Sequence, residues 1–315
     1  MKDSAMVLAV GEILWDLLPE GAVLGGAPFN LACRLHLLGH DVRMVSRLGR
    51  DAPGRRAAER MRALGLDDAL IQWDDLKPTG TVPIRLDASG TPDFTIVPDV
   101  AYDHLVPTDA LMAAAARAGC CCFGTLIQRH SVSRRTLRAV LEAASGALKV
   151  LDLNLRRDCY TPALVRDSLR RADVLKLNEE EVDYVAGLLR LPATPLPEFA
   201  DRVIATAELR LCVITLGAKG VFAADAAGER AYEPGRRVTV KDTCGAGDGL
   251  TAAFLDAFFA GASLAECCRR GNAMGALVAT RSGATEPLRR ADLDAFLARP
   301  PEPLVEPALR RFWSR

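Results

Sequence analysis

The sequence has no excess of charge of either sign: 40 lysines and arginines balance 40 aspartates and glutamates over 315 residues. A balanced surface exerts no long-range pull on a polyanion, so neither nucleic acid nor an anionic membrane surface is expected as a partner. Arginine greatly outnumbers lysine, yet the arginines are scattered through helix-like segments and read mostly as solvated faces. No apolar run reaches membrane-spanning length, because Arg117 interrupts the longest alanine-rich stretch. The apolar run Met6 to Val10 is too short for a signal-peptide core. It passes into Gly11-Glu12 rather than a small-residue cleavage site, so a cytoplasmic location is expected. There is no C-x-x-C pair, which argues against a structural zinc site. The nine cysteines form an odd set without a secretion signal, which argues against a disulfide framework. Cys120-Cys121-Cys122 and Cys267-Cys268 read instead as small buried hydrophobes. A Walker P-loop, G-x-x-x-x-G-K-[ST], is also missing.

What is present is a large potential core, with 50% hydrophobic and 25% charged residues. Strand-like segments at Val7 to Val10, Asp41 to Val45, Cys120 to Phe123, Lys149 to Leu153, Val174 to Leu177 and Leu211 to Leu216 alternate with helix-like ones. The helical stretches include Asn30 to Leu38, Pro53 to Leu64, Ser133 to Ala144 and Thr161 to Ala172. That alternation predicts an α/β fold with a largely parallel sheet. Two segments break the rhythm, Gly11 to Leu24 and Thr79 to Tyr102. In the second, Val82, Ile84 and Leu86 alternate, Asp87 to Gly90 turns the chain, and Phe94 to Val97 returns. They predict a small antiparallel sheet projecting as a lid over about 12–24 and 79–102. The Pro- and Arg-rich tail from Pro300 to Arg315 reads as a surface extension.

The strongest chemical signal is Lys241-Asp242-Thr243-Cys244-Gly245-Ala246-Gly247-Asp248. Val238-Thr239-Val240 before it reads as a strand end. Leu250, Phe254, Leu255, Phe258 and Phe259 after it mark a helix face. A Gly-Ala-Gly turn opening a helix offers unpaired amides at the positive end of the helix dipole, where a phosphate can come close. Asp248 in that turn places a proton acceptor beside charge stabilisation, and the positive helix end is expected to keep it ionised. A plain glycine-rich cap has the same local composition. The glycines at 245, 247 and 249 do not follow the dinucleotide order G-x-G-x-x-G. A second signal is Gly25-Gly26-Ala27-Pro28-Phe29-Asn30, followed by Gly39 and Gly49. Asn30 can donate to and accept from hydroxyls, and Asp16 can take two sugar hydroxyls bidentately. Each of these alone is also explained by a loop or a cap.

Together the two segments resemble the signatures of the ribokinase-like (PfkB) carbohydrate kinases, in their fructokinase-like branch. The resemblance also covers Thr79-Gly80-Thr81-Val82, Asp152-Leu153-Asn154-Leu155-Arg156, Asn178-Glu179-Glu180-Glu181 and Thr215-Leu216-Gly217-Ala218-Lys219-Gly220. It implies one doubly wound α/β domain over 1–315 carrying the lid, and an ATP-dependent phosphotransferase acting on a small sugar with Mg²⁺. Asp248 would be the base, with the amides of Gly245, Ala246 and Gly247 holding the migrating phosphoryl group. Asp16, Gly26 and Asn30 match sugar-binding positions. Thr215, Gly217, Gly220 and Asn272 match the nucleotide site, and Arg156 matches an arginine near the phosphates. Asn178 and Glu181 match the N-x-x-E motif that organises Mg²⁺ through water and phosphate. Asp242, Cys244, Val278, Arg281 and Gly283 match a monovalent-cation site, K⁺ in many relatives, and Cys244 departs from the commoner residues there. A fructose-like substrate leads. Ribokinase, 2-keto-3-deoxygluconate kinase, nucleoside kinase or a non-catalytic sugar-binding regulator are alternatives, and the lid offers a homodimer contact. Cys122 to Gln128 is expected to line the sugar side.

Overall fold

The structure is a computed structural model that describes residues 6–19, 21–86, 92–300 and 302–314. Among the described residues, ten strands form one sheet. From one edge to the other they are β5 (Ile71–Asp74), β4 (Val42–Gly49), β1 (Val7–Val10), β8 (Cys120–Gly124), β9 (Leu148–Asp152), β10 (Val174–Asn178), β11 (Leu211–Thr215), β12 (Gly220–Asp225), β13 (Arg230–Arg236) and β14 (Pro303–Leu304). The run from β5 to β11 is parallel, and β12 to β14 continue it antiparallel. Parallel strands covered on both faces read as continuous apolar runs, as β1 (VLAV) and β8 (CCCFG) do. Their alternate side chains feed two cores. Leu8, Val10 and Cys121 enter one, while Val7, Ala9, Cys120 and Cys122 enter the other. The three consecutive cysteines are thus small spacers divided between the layers.

After β1 the chain builds outward through β4 and β5, then crosses back to β8 on the other side of β1. Connections diverge at β1 and β8, and in an open α/β sheet such a switch point leaves a crevice at the carboxyl ends of the strands. The chemical motifs gather there, on Glu12 after β1, Asp152 at the end of β9 and Asn178 at the end of β10. Two helices complete the arrangement: α1 (Ala27–Leu37) and, in the C-terminal part, the helix Ala246–Phe259, which packs against both α1 and the helix Leu264–Ala279.

The second sheet has four strands, in the order β3 (Gly21–Gly25), β2 (Leu14–Leu18), β6 (Gly80–Leu86) and β7 (Pro92–Phe94). The turn anticipated at Asp87 to Gly90 lies outside the described residues. The return strand is shorter than the sequence indicated, although the Thr95 and Val97 amides still donate to the Pro83 and Thr81 carbonyls. Val100, Ala101 and Tyr102 are fully buried in the body, so the projecting segment ends before them. The Trp15 indole N–H donates to the Pro53 carbonyl at 3.0 Å, tying the small sheet to the helix Ala52–Ala63.

Three local expectations fail. The small sheet is mixed rather than antiparallel, since β2 and β6 at its centre run parallel. Val238 to Val240 form no strand, and Val240 is exposed, because β13 ends at Arg236 and its partner β14 reaches only Gly235 and Arg236. The tail is not a surface extension. It supplies β14, buries Leu309 and sets Phe312 edge-on against Phe222 with ring centroids 5.5 Å apart.

Candidate active site

The turn at Cys244 to Asp248 is shaped by packing that admits only glycine at its corner. Gly245 has φ 74, and a Cβ there would stand 2.3 Å from the Ala284 Cβ. The helix begins at Ala246, so Asp248 lies in its first turn. Of the three amides expected to hold a phosphoryl group, Ala246 donates to the Thr243 carbonyl at 3.1 Å. Those of Gly245 and Gly247 make no hydrogen bond among the described residues. Unpaired amides at a helix start form an anion cradle.

The Asp248 carboxylate accepts from the Asn30 side-chain amide at 2.8 Å, across 218 residues of sequence. The glycine-rich turn before α1 and the one before the C-terminal helix therefore form a single site. Burial, reinforced by the Asp152 carboxylate, raises the Asp248 carboxyl to about 6, while Lys176, Asn30 and Arg156 pull it down. The positive helix end was expected to leave an ordinary carboxylate. Desolvation outweighs it, because half-burial removes water that the amides do not replace.

Around this pair lie the groups expected to face a polyol. Gly26 has φ 112, and a Cβ there would meet the Glu12 carbonyl at 2.4 Å, so this turn too requires glycine. Asn30 is 5% exposed, and its Oδ1 has no partner. Asp16 on β2 has a carboxyl raised by burial and pulled down by Arg156. A pocket opens at the switch point, lined by Glu12, Pro28, Phe123, Asp152, Asn154 and Thr251 among others. Of the stretch expected on the sugar side, Cys122, Gly124, Thr125 and Leu126 line this pocket, whereas Gln128 turns inward to the Gly124 carbonyl and Ser168.

On the other flank, Asn178 and Glu181 form a capping box. The Asn178 Oδ1 accepts from the Glu181 amide at 3.0 Å, and the Glu181 carboxylate accepts from the amides of Asn178 at 2.9 Å and Leu155 at 2.6 Å. Thr215 pairs with Asn178 across neighbouring strands. Gly217 (φ 56) and Gly220 (φ 103) bound the turn after β11. Asn272 is buried, and its amide donates to the Pro234 carbonyl at 2.8 Å, so it braces the helix Leu264–Ala279 against β13. Arg156 is exposed and lies within electrostatic reach of Glu12, Asp16 and Asp248. Asp242 joins the two halves of the loop region, accepting from the amides of Cys244 and Gly283 at 2.9 Å each. The Arg281 amide closes onto the Val278 carbonyl at 2.8 Å, so the five positions expected around a monovalent cation are neighbours.

The pattern of the pfkB family of carbohydrate kinases matches residues 21–291. This chain belongs to that family. A fructokinase of Klebsiella pneumoniae is 32% identical over 297 residues, covering 88% of this chain and 94% of its own. Among solved structures, a Xylella fastidiosa fructokinase with bound ATP superposes with a TM-score of 0.81 at 23% identity, covering 93% of this chain and 98% of its own. A Vibrio cholerae fructokinase with fructose, ADP and calcium bound gives 0.79 at 24%, covering 94% and 100%. The ribokinase-like fold and the phosphotransferase class, with an alcohol as acceptor, follow.

Two residues of this kinase's site escaped the sequence reading. Glu12 is 5% exposed, and burial raises its carboxyl to about 7. Lys176 is 7% exposed and donates to Asp152 at 3.0 Å. The available signal for Lys176 was a lone charge inside the apolar strand Val174 to Asn178. Among the described residues, no cluster of three or more histidine, cysteine, aspartate or glutamate side chains forms a metal cage. With both Glu181 oxygens already bonded to amides, the donor set suits a Mg²⁺ carried mainly by phosphates and water rather than by protein ligands.

Proposed function

We propose that this kinase transfers the γ-phosphoryl group of ATP to a hydroxyl of a fructose-like ketose. The observation that carries the reading is Asp248, held by Asn30 beside unpaired amides at a helix start. In this reading Asp16, Gly26 and Asn30 bind the sugar, and Asn30 Oδ1 finds its missing partner in a sugar hydroxyl. The hydroxyl proton goes to Asp248, and the amides of Gly245 and Gly247 receive the charge that develops on the phosphoryl oxygens. Ala246 joins them if its turn opens on binding. Thr215, Gly217 and Gly220 border the nucleotide, Asn272 backs its wall, and Arg156 swings toward the phosphates. Mg²⁺ enters with ATP near Asn178 and Glu181. Asp242, Cys244, Val278, Arg281 and Gly283 hold K⁺, largely through carbonyls. The small sheet closes over the sugar and excludes water. Its exposed Leu17 supports a homodimer through that sheet. The names of the relatives support fructose as substrate, and among the described residues no helix is long and apolar enough to cross a membrane, which is compatible with work in the cytoplasm.

Sugar-dependent ADP release, measured over a panel of ketoses, aldoses, 2-keto-3-deoxy acids and nucleosides with Mg²⁺ and with K⁺ against Na⁺, tests this reading. The expected result is preference for fructose and stimulation by K⁺. No release with any sugar would refute it.

A further inference from the structure

At the carboxyl ends of the strands lies a buried cation, Lys176. It faces Asp152 directly across the parallel pair β9 and β10, and its ammonium lies 3.0 Å from the Asp152 carboxylate. The same nitrogen lies against the phosphoryl cradle, since a Cβ on Gly247 would stand only 3.5 Å from it. Its field also reaches Glu181 and Asp248. The carboxylates around it are otherwise engaged: Glu181 by two amides and Asp248 by Asn30. Asp152 is the hydrogen-bond partner found for Lys176 among the described residues, while an ammonium carries three donors.

We propose that Lys176 is a further catalytic residue, an ammonium fixed beneath the Gly245–Gly247 turn that contacts the transferring phosphoryl group, and that Asp152 is its positioning residue. This rests on the kinase reading above. In the step, a sugar oxygen bonds to the γ-phosphorus, and the bond from that phosphorus to the bridging oxygen breaks with its electron pair leaving on ADP. The sugar hydroxyl proton passes to Asp248. Negative charge gathers on the phosphoryl oxygens at the turn, where two amides give partial charges and Lys176 a full one. A buried ammonium without a counter-ion would be strongly disfavoured, and Asp152 supplies that counter-ion when no nucleotide is bound. The pair also sets the proton affinity of the base, with opposite signs. Asp152 pushes the Asp248 carboxyl up and Lys176 pulls it down. The other groups facing Asp248 are Asn30 from α1, Glu12 after β1 and Arg156 after β9. They remain unchanged in the variants below.

The test is steady-state kinetics between pH 5 and 9 on wild type, K176M, K176R, D152N and the double variant D152N/K176M, with fructose and MgATP. Removing an electrostatic donor of this kind lowers kcat by roughly 10²–10³. K176M is expected to lose that much with the sugar KM within about threefold, and its acid limb should move to higher pH. K176R should recover part of kcat. D152N should move the acid limb to lower pH. The double variant removes both charges together, leaves no unpaired buried carboxylate, and is read in place of K176M if that protein does not fold. A kcat within threefold of wild type in K176M or the double variant overturns the proposal. So does a loss confined to the sugar KM, or an acid limb that does not move in D152N. A wild type without sugar-dependent turnover would instead defeat the kinase reading itself.

Discussion

Replacing Asn30 by leucine isolates the contact that joins the two halves of the site. Leucine has the branching and heavy-atom count of asparagine with two methyls in place of the amide, so the site stays dry, and it removes an acceptor, Oδ1, that has no partner. What disappears is one hydrogen bond of 2.8 Å to the Asp248 carboxylate. A bond to a charged group contributes about 1.5–3 kcal/mol, and 1.36 kcal/mol corresponds to one pKa unit. Asp248 should therefore rise from about 6 to roughly 7–8. With Asp248 as the proposed base, its ionised fraction in wild type falls about tenfold between pH 7 and pH 5 and should set the acid limb of kcat/KM. In the variant the limb moves up by one or two units, and about two- to tenfold is lost at pH 7 through the base alone. Loss of the proposed sugar contact adds a pH-independent factor. The measurement is kcat/KM from pH 5 to 9, where the ratio of wild type to variant should shrink as pH rises. A ratio constant across that range would refute the coupling between Asn30 and the base.

Asp248→Asn should lower kcat by about 10²–10⁴ while nucleotide binding, followed by calorimetry, changes little. The same variant should be more stable than wild type at alkaline pH. A carboxyl whose value rises from 3.8 to about 6 on folding binds its proton more tightly when folded, so its contribution to stability falls as pH climbs through that window. Denaturant melts should show a gain of about 1–3 kcal/mol at pH 8 that fades toward pH 4, and equal melts at both would contradict the burial of Asp248. Gly245→Ala places a Cβ 2.3 Å from the Ala284 Cβ on a backbone with φ 74. Strain of about 1–3 kcal/mol and a loss of roughly 10²–10³ in kcat are expected, and wild-type turnover would exclude the turn as the phosphoryl cradle. Deleting residues 302–314 removes β14, Leu309 and Phe312, and should cost about 2–5 kcal/mol in a thermal or urea melt. An unchanged melt would restore the tail to a surface ornament.

Local spacing made the alternation of strands and helices legible, because a buried parallel strand has to be apolar throughout and a flanking helix apolar on one face. The glycines at 26 and 245 were equally legible, since a close turn before a helix tolerates little else. The Pro- and Arg-rich tail misled because its composition is polar, while its fixation depends on an edge strand and on Phe222, which are remote in sequence. The N-x-x-E spacing at Asn178 folds as a capping box and also fits the proposed phosphate-side motif, and sequence cannot separate the two.

By itself the sequence determined the class of fold, the two glycine-rich turns and the carboxylate at position 248, all of which are written in neighbouring residues. Tertiary structure decided how that carboxylate behaves. Its proton affinity comes from burial and from Asn30, Asp152, Lys176 and Arg156, groups delivered by separate elements to one end of the sheet. Charge acts through space and through the water it displaces, and neither distance nor hydration follows from order along the chain.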